Sequence, residues 1–130
     1  MNIKFKKCKN CNAIVKIVED CNCENCGITC CGIEMALMPV NSKEASFEKH
    51  IPTYEIENNK IKVSINHVME ENHYIKWILL TNGLEEHIKY LKPNEIAYAE
   101  FDYLENGILY AYCNTHGLWK TEINNDLANN

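Results

Sequence analysis

The sequence predicts a mainly β protein in two parts, a small metal-binding domain over residues 1–37 and an antiparallel β sandwich of immunoglobulin type over residues 38–130. Two observations predict this organisation. Seven of the eight cysteines lie within the first 31 residues. Short strand-like segments follow from about residue 51 at a spacing of roughly ten residues, which is typical of a sandwich. The paired cysteines of antibody domains are absent, so the likeness to immunoglobulin domains is limited to the architecture.

The first part is too short to bury a useful apolar core, so a bound metal must supply much of its stability. Its one clear strand is residues 13–19. Cys8 and Cys11 form a Cys-x-x-Cys pair that lets two thiolates meet one metal ion, and four thiolates in a tetrahedron suit iron or zinc. Spacing alone leaves the second pair open among three choices, which are Cys30 with Cys31, Cys26 with Cys30, or Cys23 with Cys26.

Neighbouring cysteines on a strand point to opposite sides, so Cys30 and Cys31 can share a metal only across a tight turn. Gly32 follows them and permits such a turn. The stretch between the two pairs is interpreted as a loop insertion whose spare thiols are not ligands, namely Cys21, Cys23 and Cys26.

The second part begins after a linker formed by Pro39 and the polar residues 41–44. Strict alternation of apolar and polar residues predicts strands at residues 60–65 and 86–91. The other predicted strands are residues 53–57, 74–81, 97–104, 108–113 and 118–123. Two-residue hairpin turns are expected where Asn-Asn or Asn-Gly supplies positive φ angles, at residues 58–59, 82–83 and 106–107.

The composition excludes several classes of protein. The net charge is -5 and all thirteen basic residues are lysine, so the chain has neither the basic face of a nucleic-acid binder nor a guanidinium that grips phosphate through two hydrogen bonds. No apolar stretch approaches the ~20 residues of a membrane-spanning helix. A cysteine also occurs before any signal-peptide core could form. We therefore expect a cytoplasmic protein that binds neither nucleic acid nor a membrane.

The histidines indicate a second metal centre. Four of the five are expected in loops or at strand edges, at His50, His67, His73 and His116. Cys113 and His116 are spaced Cys-x-x-His, which brings a thiolate and an imidazole to one metal, and His67 and His73 flank a loop short enough to return both rings to one point. A lone histidine is usually a surface residue, but four in loops with an isolated cysteine favour a metal site. His87 lies within an alternating strand and is interpreted as structural.

Four short motifs of the second part resemble those of the desulfoferrodoxin family, the two-iron superoxide reductases. They are Glu-Lys-His-Ile-Pro at 48–52, His-x5-His at 67–73 with Ile-x-Trp-Ile at 75–78, Leu-Lys-Pro at 91–93 and Cys-Asn-x-His-Gly at 113–117. The cysteines of the first part resemble the family's desulforedoxin domain, which holds a rubredoxin-like iron. The resemblance covers nearly the whole chain and implies a tetrathiolate iron site formed by Cys8, Cys11, Cys30 and Cys31.

The resemblance also implies a catalytic iron held by four histidines and one cysteine, namely His50, His67, His73, His116 and Cys113. It implies that this centre reduces superoxide to hydrogen peroxide by one electron, that an external donor such as rubredoxin supplies the electrons, and that the protein is a homodimer. Both iron ions are expected to alternate between Fe²⁺ and Fe³⁺. Lys49 is expected to attract the anionic substrate, and Glu48 to take the remaining position on the ferric ion.

Two other functions stay open from the sequence. The first is a zinc ribbon joined to a β sandwich that binds a protein partner, and the second is a simple iron electron carrier that binds no substrate. Zinc would also fill a four-cysteine site, but it gives no reason for four histidines and a cysteine to lie in loops. The four-cysteine site itself can be an electron relay or a structural element.

Overall fold

Antiparallel strand pairing builds both parts of the chain. The structure is a computed structural model, and it describes residues 3–24, 26–42 and 47–123. The chain divides into two compact units, Met1–Met38 and Pro39–Asn130. Every pairing between the strands named below is antiparallel, so the prediction of a mainly β protein is confirmed. In the part of the chain that is described, no helix is long and apolar enough to cross a membrane.

Five short strands lie within the described residues of the first unit. They are β1 (Phe5–Lys7), β2 (Ile14–Lys16), β3 (Thr29–Cys30), β4 (Ile33–Glu34) and β5 (Ala36–Leu37). A three-stranded sheet has the order β2-β1-β5, and β3 pairs with β4 as a separate hairpin. The prediction of one clear strand at 13–19 was therefore too long for that strand and missed the other four. Strands of two or three residues leave too little alternation to be detected in sequence.

The first unit has a very small apolar core. Its buried hydrophobic side chains among the described residues are Phe5, Cys8, Met35 and Met38. At about 1.5–3 kcal/mol for each fully buried apolar side chain, this set cannot offset the entropy of ordering more than thirty residues. The first unit therefore depends on a further source of stability, and its cysteines are the groups that can supply it.

Over residues 47–123, the second unit consists of a short 3-10 helix at Phe47–Lys49 followed by seven strands. They are β6 (Thr53–Glu57), β7 (Lys60–Ser64), β8 (Ile75–Thr81), β9 (Glu86–Tyr90), β10 (Tyr98–Asp102), β11 (Ile108–Cys113) and β12 (Gly117–Glu122). One sheet has the order β10-β7-β6 and the other β12-β11-β8-β9. Inward side chains of both sheets form one core cluster. The predicted antiparallel sandwich is confirmed, with each strand within two residues of its predicted bounds.

The apolar core of the sandwich extends to the last residue of strand β11. Ile61 and Val63 alternate with partly exposed residues on β7 and are fully buried. All six residues of β11 are buried, because that strand lies between β8 and β12. The last of them, Cys113, is 0% exposed and belongs to the core cluster. The side chain that ends this strand is therefore held in place by the packing of the whole sandwich.

Of the three predicted hairpin turns, only the one at residues 58–59 is confirmed. Asn58 and Asn59 have φ angles of 52° and 62° and join β6 directly to β7. The turn predicted at 82–83 is wrong, because the loop runs over residues 82–85 and the Asn82 side chain accepts hydrogen bonds from two of its N–H groups. The turn predicted at 106–107 is also wrong, since β10 and β11 belong to different sheets.

Strand β9 is exposed along its whole length, although its alternating sequence is typical of a half-buried strand. It forms the edge of its sheet and pairs with β8 alone. His87 lies on this strand, where its Nε2 is 3.9 Å from Glu85 Oε1. This histidine belongs to none of the three histidine- or cysteine-rich groups found among the described residues.

Candidate metal centres

Five donor atoms of the second unit converge within 4.8 Å of one another, from His50, His67, His73, Cys113 and His116. These are the five residues that the family resemblance implied as ligands. They come from three separate stretches of chain, which are the turn before β6, the loop between β7 and β8, and the end of β11 with the turn that follows it. The sandwich fold therefore brings together residues that are up to 66 positions apart in sequence.

The four imidazole rings stand in a closed cycle. His50 lies edge-on against His67 and against His116, with ring centroids 4.7 and 4.8 Å apart. His73 completes the cycle, because its centroid lies 4.7 Å from that of His67 and 5.0 Å from that of His116. The interplanar angles between neighbouring rings are 68° to 87°, so each ring is steeply inclined to both of its neighbours. Four nitrogens directed at a common centre require this kind of arrangement.

Ring nitrogens of neighbouring histidines in this cycle lie close together. His50 Nε2 lies 3.0 Å from His116 Nδ1. His73 Nε2 is buried and has no hydrogen-bond partner among the residues that the structure describes. An unpaired buried nitrogen is costly unless another species binds it. A metal ion between the rings would bind all of these atoms.

The protonation of His67 suits a ligand role. Its Nδ1 hydrogen-bonds to the carbonyl oxygen of Val68, and since a carbonyl can only accept, Nδ1 carries the proton and Nε2 keeps a free lone pair. Burial lowers the pKa of His67, and the positive charges that His50, His73 and His116 would carry act in the same direction. His67 is therefore neutral at pH 7, with Nε2 as the donor atom.

The Cys113 sulfur lies against the cycle of imidazoles. Its Sγ is 3.3 Å from His67 Nε2 and 3.9 Å from His116 Nδ1. The backbone N–H of His116 donates a hydrogen bond to the same sulfur at 3.3 Å, which stabilises a thiolate. Cys113 pairs with Gly117 across the start of the β11–β12 hairpin, and Gly117 has a φ of 86° that favours glycine.

Two residues that the sequence analysis did not single out hold this site in shape. The Trp119 ring stacks on His50 with centroids 4.8 Å apart, and its Nε1–H donates to the carbonyl of His116. The Asn114 side chain accepts from the N–H of Tyr74 at 3.0 Å and donates to the carbonyl of Asn72 at 3.2 Å. The position of Asn114 between Cys113 and His116 was a signal for it, whereas nothing local in the sequence pointed to Trp119.

Asn114→Ala is expected to loosen metal binding in the second unit more than it loosens the fold. The variant removes the link between the 67–73 loop and the β11–β12 turn, which should cost about 1–3 kcal/mol of unfolding free energy and about 10- to 100-fold in metal affinity. Asn82→Ala is the matched control, because Asn82 also makes several hydrogen bonds to backbone groups but lies in another loop. Denaturant unfolding and competition with a chelator measure the two effects. Equal metal affinity in both variants would contradict this role of Asn114.

A second group of donors lies in the first unit and consists of Cys8, Cys11, Cys30 and Cys31, with all four sulfurs within 4.8 Å of one another. The Sγ atoms of Cys11 and Cys30 are 3.6 Å apart and those of Cys30 and Cys31 are 3.9 Å apart. Two thiolates bound tetrahedrally at about 2.3 Å from one metal would be about 3.8 Å apart. The spacing of this group fits a tetrathiolate metal site.

The backbone explains why neighbouring cysteines can share that site. Cys31 and Gly32 form the two-residue turn between β3 and β4, and their φ angles are 56° and 71°. This reversal brings the sulfurs of Cys30 and Cys31 to the same side. Cys8 and Cys11 are joined by a turn in which the Asn12 N–H donates to the Cys8 carbonyl at 3.0 Å.

The thiols of this group influence one another strongly. The backbone N–H of Cys11 lowers the pKa of Cys8 to about 7. Contact with the thiol of Cys11, and then with those of Cys8 and Cys31, raises the pKa of Cys30 to about 12. Four thiols this close cannot all ionise at neutral pH unless a cation neutralises them. The donor set therefore fits a soft or borderline metal ion.

The remaining sequence-predicted residues lie outside these two groups. Cys21, Cys23 and Cys26 form a separate group of three sulfurs in the first unit. Glu48 and Lys49 are exposed and lie in the short 3-10 helix directly before His50.

The fold and its donor groups are those of a metal-binding protein. Four histidines and a cysteine converge in the β sandwich, and four cysteines converge in the first unit. The family model described as Desulfoferrodoxin matches residues 42–122. A desulfoferrodoxin homolog of Archaeoglobus fulgidus is 40% identical over 119 residues, which are 88% of this chain and 93% of that protein. The desulfoferrodoxin of Nitratidesulfovibrio vulgaris is 37% identical over 120 residues, 89% of this chain and 93% of its own. The chain belongs to the desulfoferrodoxin family.

Two solved structures are similar to this fold. The superoxide reductase of Treponema pallidum has a TM-score of 0.69 at 24% identity and covers 92% of this chain and 97% of its own. The one-iron superoxide reductase of Giardia intestinalis has a TM-score of 0.51 at 25% identity and covers 58% of this chain and 97% of its own.

Proposed function

We propose that this protein is a superoxide reductase, which adds one electron and two protons to superoxide and yields hydrogen peroxide. The observation that carries the proposal is the partly buried cycle of four imidazoles with one cysteine sulfur in the second unit. Structural zinc sites are closed by four ligands, so five donors of this kind are more than a structural zinc ion needs. Membership of the desulfoferrodoxin family and the likeness to the one-iron superoxide reductase of Giardia intestinalis support the proposal.

The proposed ligands of the catalytic iron are His50, His67, His73, His116 and Cys113. Imidazole and thiolate both suit iron, so these five side chains would hold it. Iron, when bound there, supplies the single electron that superoxide takes up. Imidazole binds a metal in its neutral form and cysteine as a thiolate, so a divalent cation held by these five side chains would leave the centre with one positive charge. An anionic substrate is therefore attracted to the centre although the chain carries a net charge of -5.

Lys49 and Glu48 are proposed to act at the entrance of this centre. Both are exposed and directly precede His50 in the chain, so their charges lie next to one of the proposed ligands and face solvent. The Lys49 ammonium adds a positive charge that draws superoxide in, and it orders the water from which the two protons come. The Glu48 carboxylate is proposed as the group that would bind the ferric centre once the substrate has left.

The four-cysteine group is proposed to hold the second iron, as in the desulforedoxin-type domain that the sequence resembles. In this proposal residues 1–37 form the tetrathiolate domain and residues 38–130 the reductase domain. A rubredoxin-like protein is proposed as the electron donor, since each turnover consumes one electron from outside the chain. We also propose that the protein is cytoplasmic and acts as a homodimer.

Metal content and product stoichiometry test the proposed function. Protein purified without oxygen should hold two iron ions per chain and should form one hydrogen peroxide for each superoxide consumed, with no oxygen released. Dismutation would instead give half as much peroxide together with oxygen. Zinc as the only metal, or no consumption of superoxide by the reduced protein, would contradict the proposal and favour an interaction module or a simple electron carrier.

Lys49→Ala is expected to slow the capture of superoxide about three- to tenfold at low ionic strength. The defect should shrink as salt rises, because the Debye length falls from ~10 Å at 0.1 M to ~3 Å at 1 M. Glu48→Ala is the matched control in the adjacent position, and it should capture superoxide at the parent rate or slightly faster. Rapid-mixing kinetics at two salt concentrations measure both. If Lys49→Ala captures superoxide at the parent rate in low salt, Lys49 has no role in attracting the substrate.

A further inference from the structure

The third group of cysteines has no part in either proposed iron site. Cys21, Cys23 and Cys26 place their sulfurs within 4.8 Å of one another, and Cys21 and Cys26 are joined as a disulfide while Cys23 is free and exposed. We propose that Cys21 and Cys26 are a reversible dithiol–disulfide pair that hydrogen peroxide oxidises, with Cys23 remaining a thiol. The inference rests on the proposed function only for the source of the peroxide.

The backbone at this pair favours a disulfide over a shared metal. The Cα atoms of Cys21 and Cys26 are 6.6 Å apart, within the range of about 4.4–6.8 Å that disulfides span. In the four-cysteine group the sulfurs of Cys11 and Cys30 stay 3.6 Å apart, which is the separation of two thiolates on one metal rather than of bonded atoms. The first unit therefore contains two kinds of cysteine group.

The same segment also has an acceptor for the reduced form of the pair, in which Cys21 and Cys26 are both thiols. The carbonyl oxygen of Cys23 lies 3.6 Å from the Cys26 sulfur and 4.0 Å from the Cys21 sulfur. After reduction both thiols can donate to this one acceptor, so they remain side by side. The pair can then close again without a rearrangement of the backbone.

One end of the loop is anchored and both sulfur-bearing residues border open space. The Cys21 N–H donates to Asp20 Oδ1 at 2.9 Å, and the other oxygen of Asp20 pairs with Lys4 Nζ at 2.7 Å. A cavity of about 260 Å³ is lined by Cys21 and Cys26 together with Lys6 and other residues of the unit. Molecules as small as hydrogen peroxide can therefore reach both sulfurs.

The oxidation balances as two thiols and one hydrogen peroxide giving one disulfide and two waters. The thiolate of one cysteine attacks a peroxide oxygen, so that an S–O bond forms, the O–O bond breaks and hydroxide leaves as water after taking a proton. The second thiolate attacks the resulting sulfenic sulfur, the S–S bond forms, and the S–O bond breaks to release the second water. Two molecules of glutathione return two electrons and two protons. In the reducing cytoplasm proposed for this chain, a disulfide is usually transient and redox-sensing.

Peptide mapping of the full-length, metal-loaded chain tests this inference. The thiol-reduced protein receives one equivalent of hydrogen peroxide without oxygen, is alkylated and is cut after glutamate, which separates residues 20–24 from residues 25–34. We expect these two peptides to be joined through Cys21 and Cys26, with Cys23 alkylated, and we expect excess glutathione to separate them. Cys23→Ser is the matched control and should give the same linked peptides. Cys21→Ser should give none.

Three results would overturn the inference. The first is a pair that stays reduced with tenfold excess peroxide, and the second is a linked pair that glutathione does not reduce. The third is a further equivalent of metal in the parent protein that Cys21→Ser loses, which would make the group a metal site. Because the assay adds peroxide directly and follows peptide masses, a failure of the proposed superoxide chemistry would leave its outcome unchanged.

Discussion

Cys113→Ser is expected to lower superoxide reduction by more than about 100-fold, since loss of even an indirect contact to a metal ligand typically costs 10- to 100-fold. Serine keeps nearly the size of cysteine but is a hard donor whose hydroxyl stays protonated at neutral pH. The centre then loses its only negatively charged ligand. Rapid mixing of the reduced variant with superoxide measures this loss.

The same variant should keep the sandwich folded. Cys113 is 0% exposed, but a serine hydroxyl in its place can still accept from the N–H of His116 and bond to His67 Nε2, the two groups that lie 3.3 Å from the sulfur. We therefore expect a loss of about 1–3 kcal/mol in unfolding free energy, which circular dichroism during denaturation would show. Cys23→Ser, an exposed thiol outside both ligand groups, is the control. A Cys113→Ser protein that reduces superoxide at the parent rate would exclude the thiolate from the reaction.

The architecture of the second unit could be predicted because its strands are long enough to show their period. Alternation and asparagine turns indicated β7 and the β6–β7 hairpin, and the turn at Asn58 and Asn59 has the positive φ angles expected. The two wrong turn predictions concerned features that depend on contacts distant in sequence or on side-chain hydrogen bonds. Local sequence does not reveal that β10 and β11 lie in different sheets, nor that the Asn82 side chain caps a longer loop.

The candidate centres were predictable to different degrees. Cys113 and His116 lie in one local turn, so their spacing alone indicated that both can reach one metal. The closed order of the four rings could not be predicted, because each ring is positioned by packing, as with Trp119 against His50. In the first unit, the spacing of the cysteines allowed three choices for the pair that joins Cys8 and Cys11. Cys30 and Cys31 can form this pair only because Cys31 has a positive φ angle. Residues other than glycine adopt this conformation rarely, so the sequence did not reveal it.

Cys11→Ser is expected to release the metal of the four-cysteine site and to unfold much of the first unit, while the five-donor centre keeps its metal. The first unit has few buried apolar side chains, and structural zinc sites contribute about 10–16 kcal/mol to the folding of comparable small domains. Replacing one of four thiolates by a neutral hydroxyl removes much of that contribution, since Cys11 Sγ lies 3.6 Å from Cys30 Sγ at the centre of the group.

The second unit should respond differently because it has a core cluster of its own, whose fifteen described residues lie between Ile61 and Ile123. We therefore expect one iron per chain in place of two, loss of amide protection confined to residues 1–38, and superoxide consumption by the chemically pre-reduced variant within about twofold of the parent. Metal analysis, hydrogen exchange and rapid mixing measure these three quantities, and Cys23→Ser should change none of them. Loss of both irons from Cys11→Ser would mean that the first unit is required for the catalytic centre to form, and the division of the chain into two independent metal domains would be wrong.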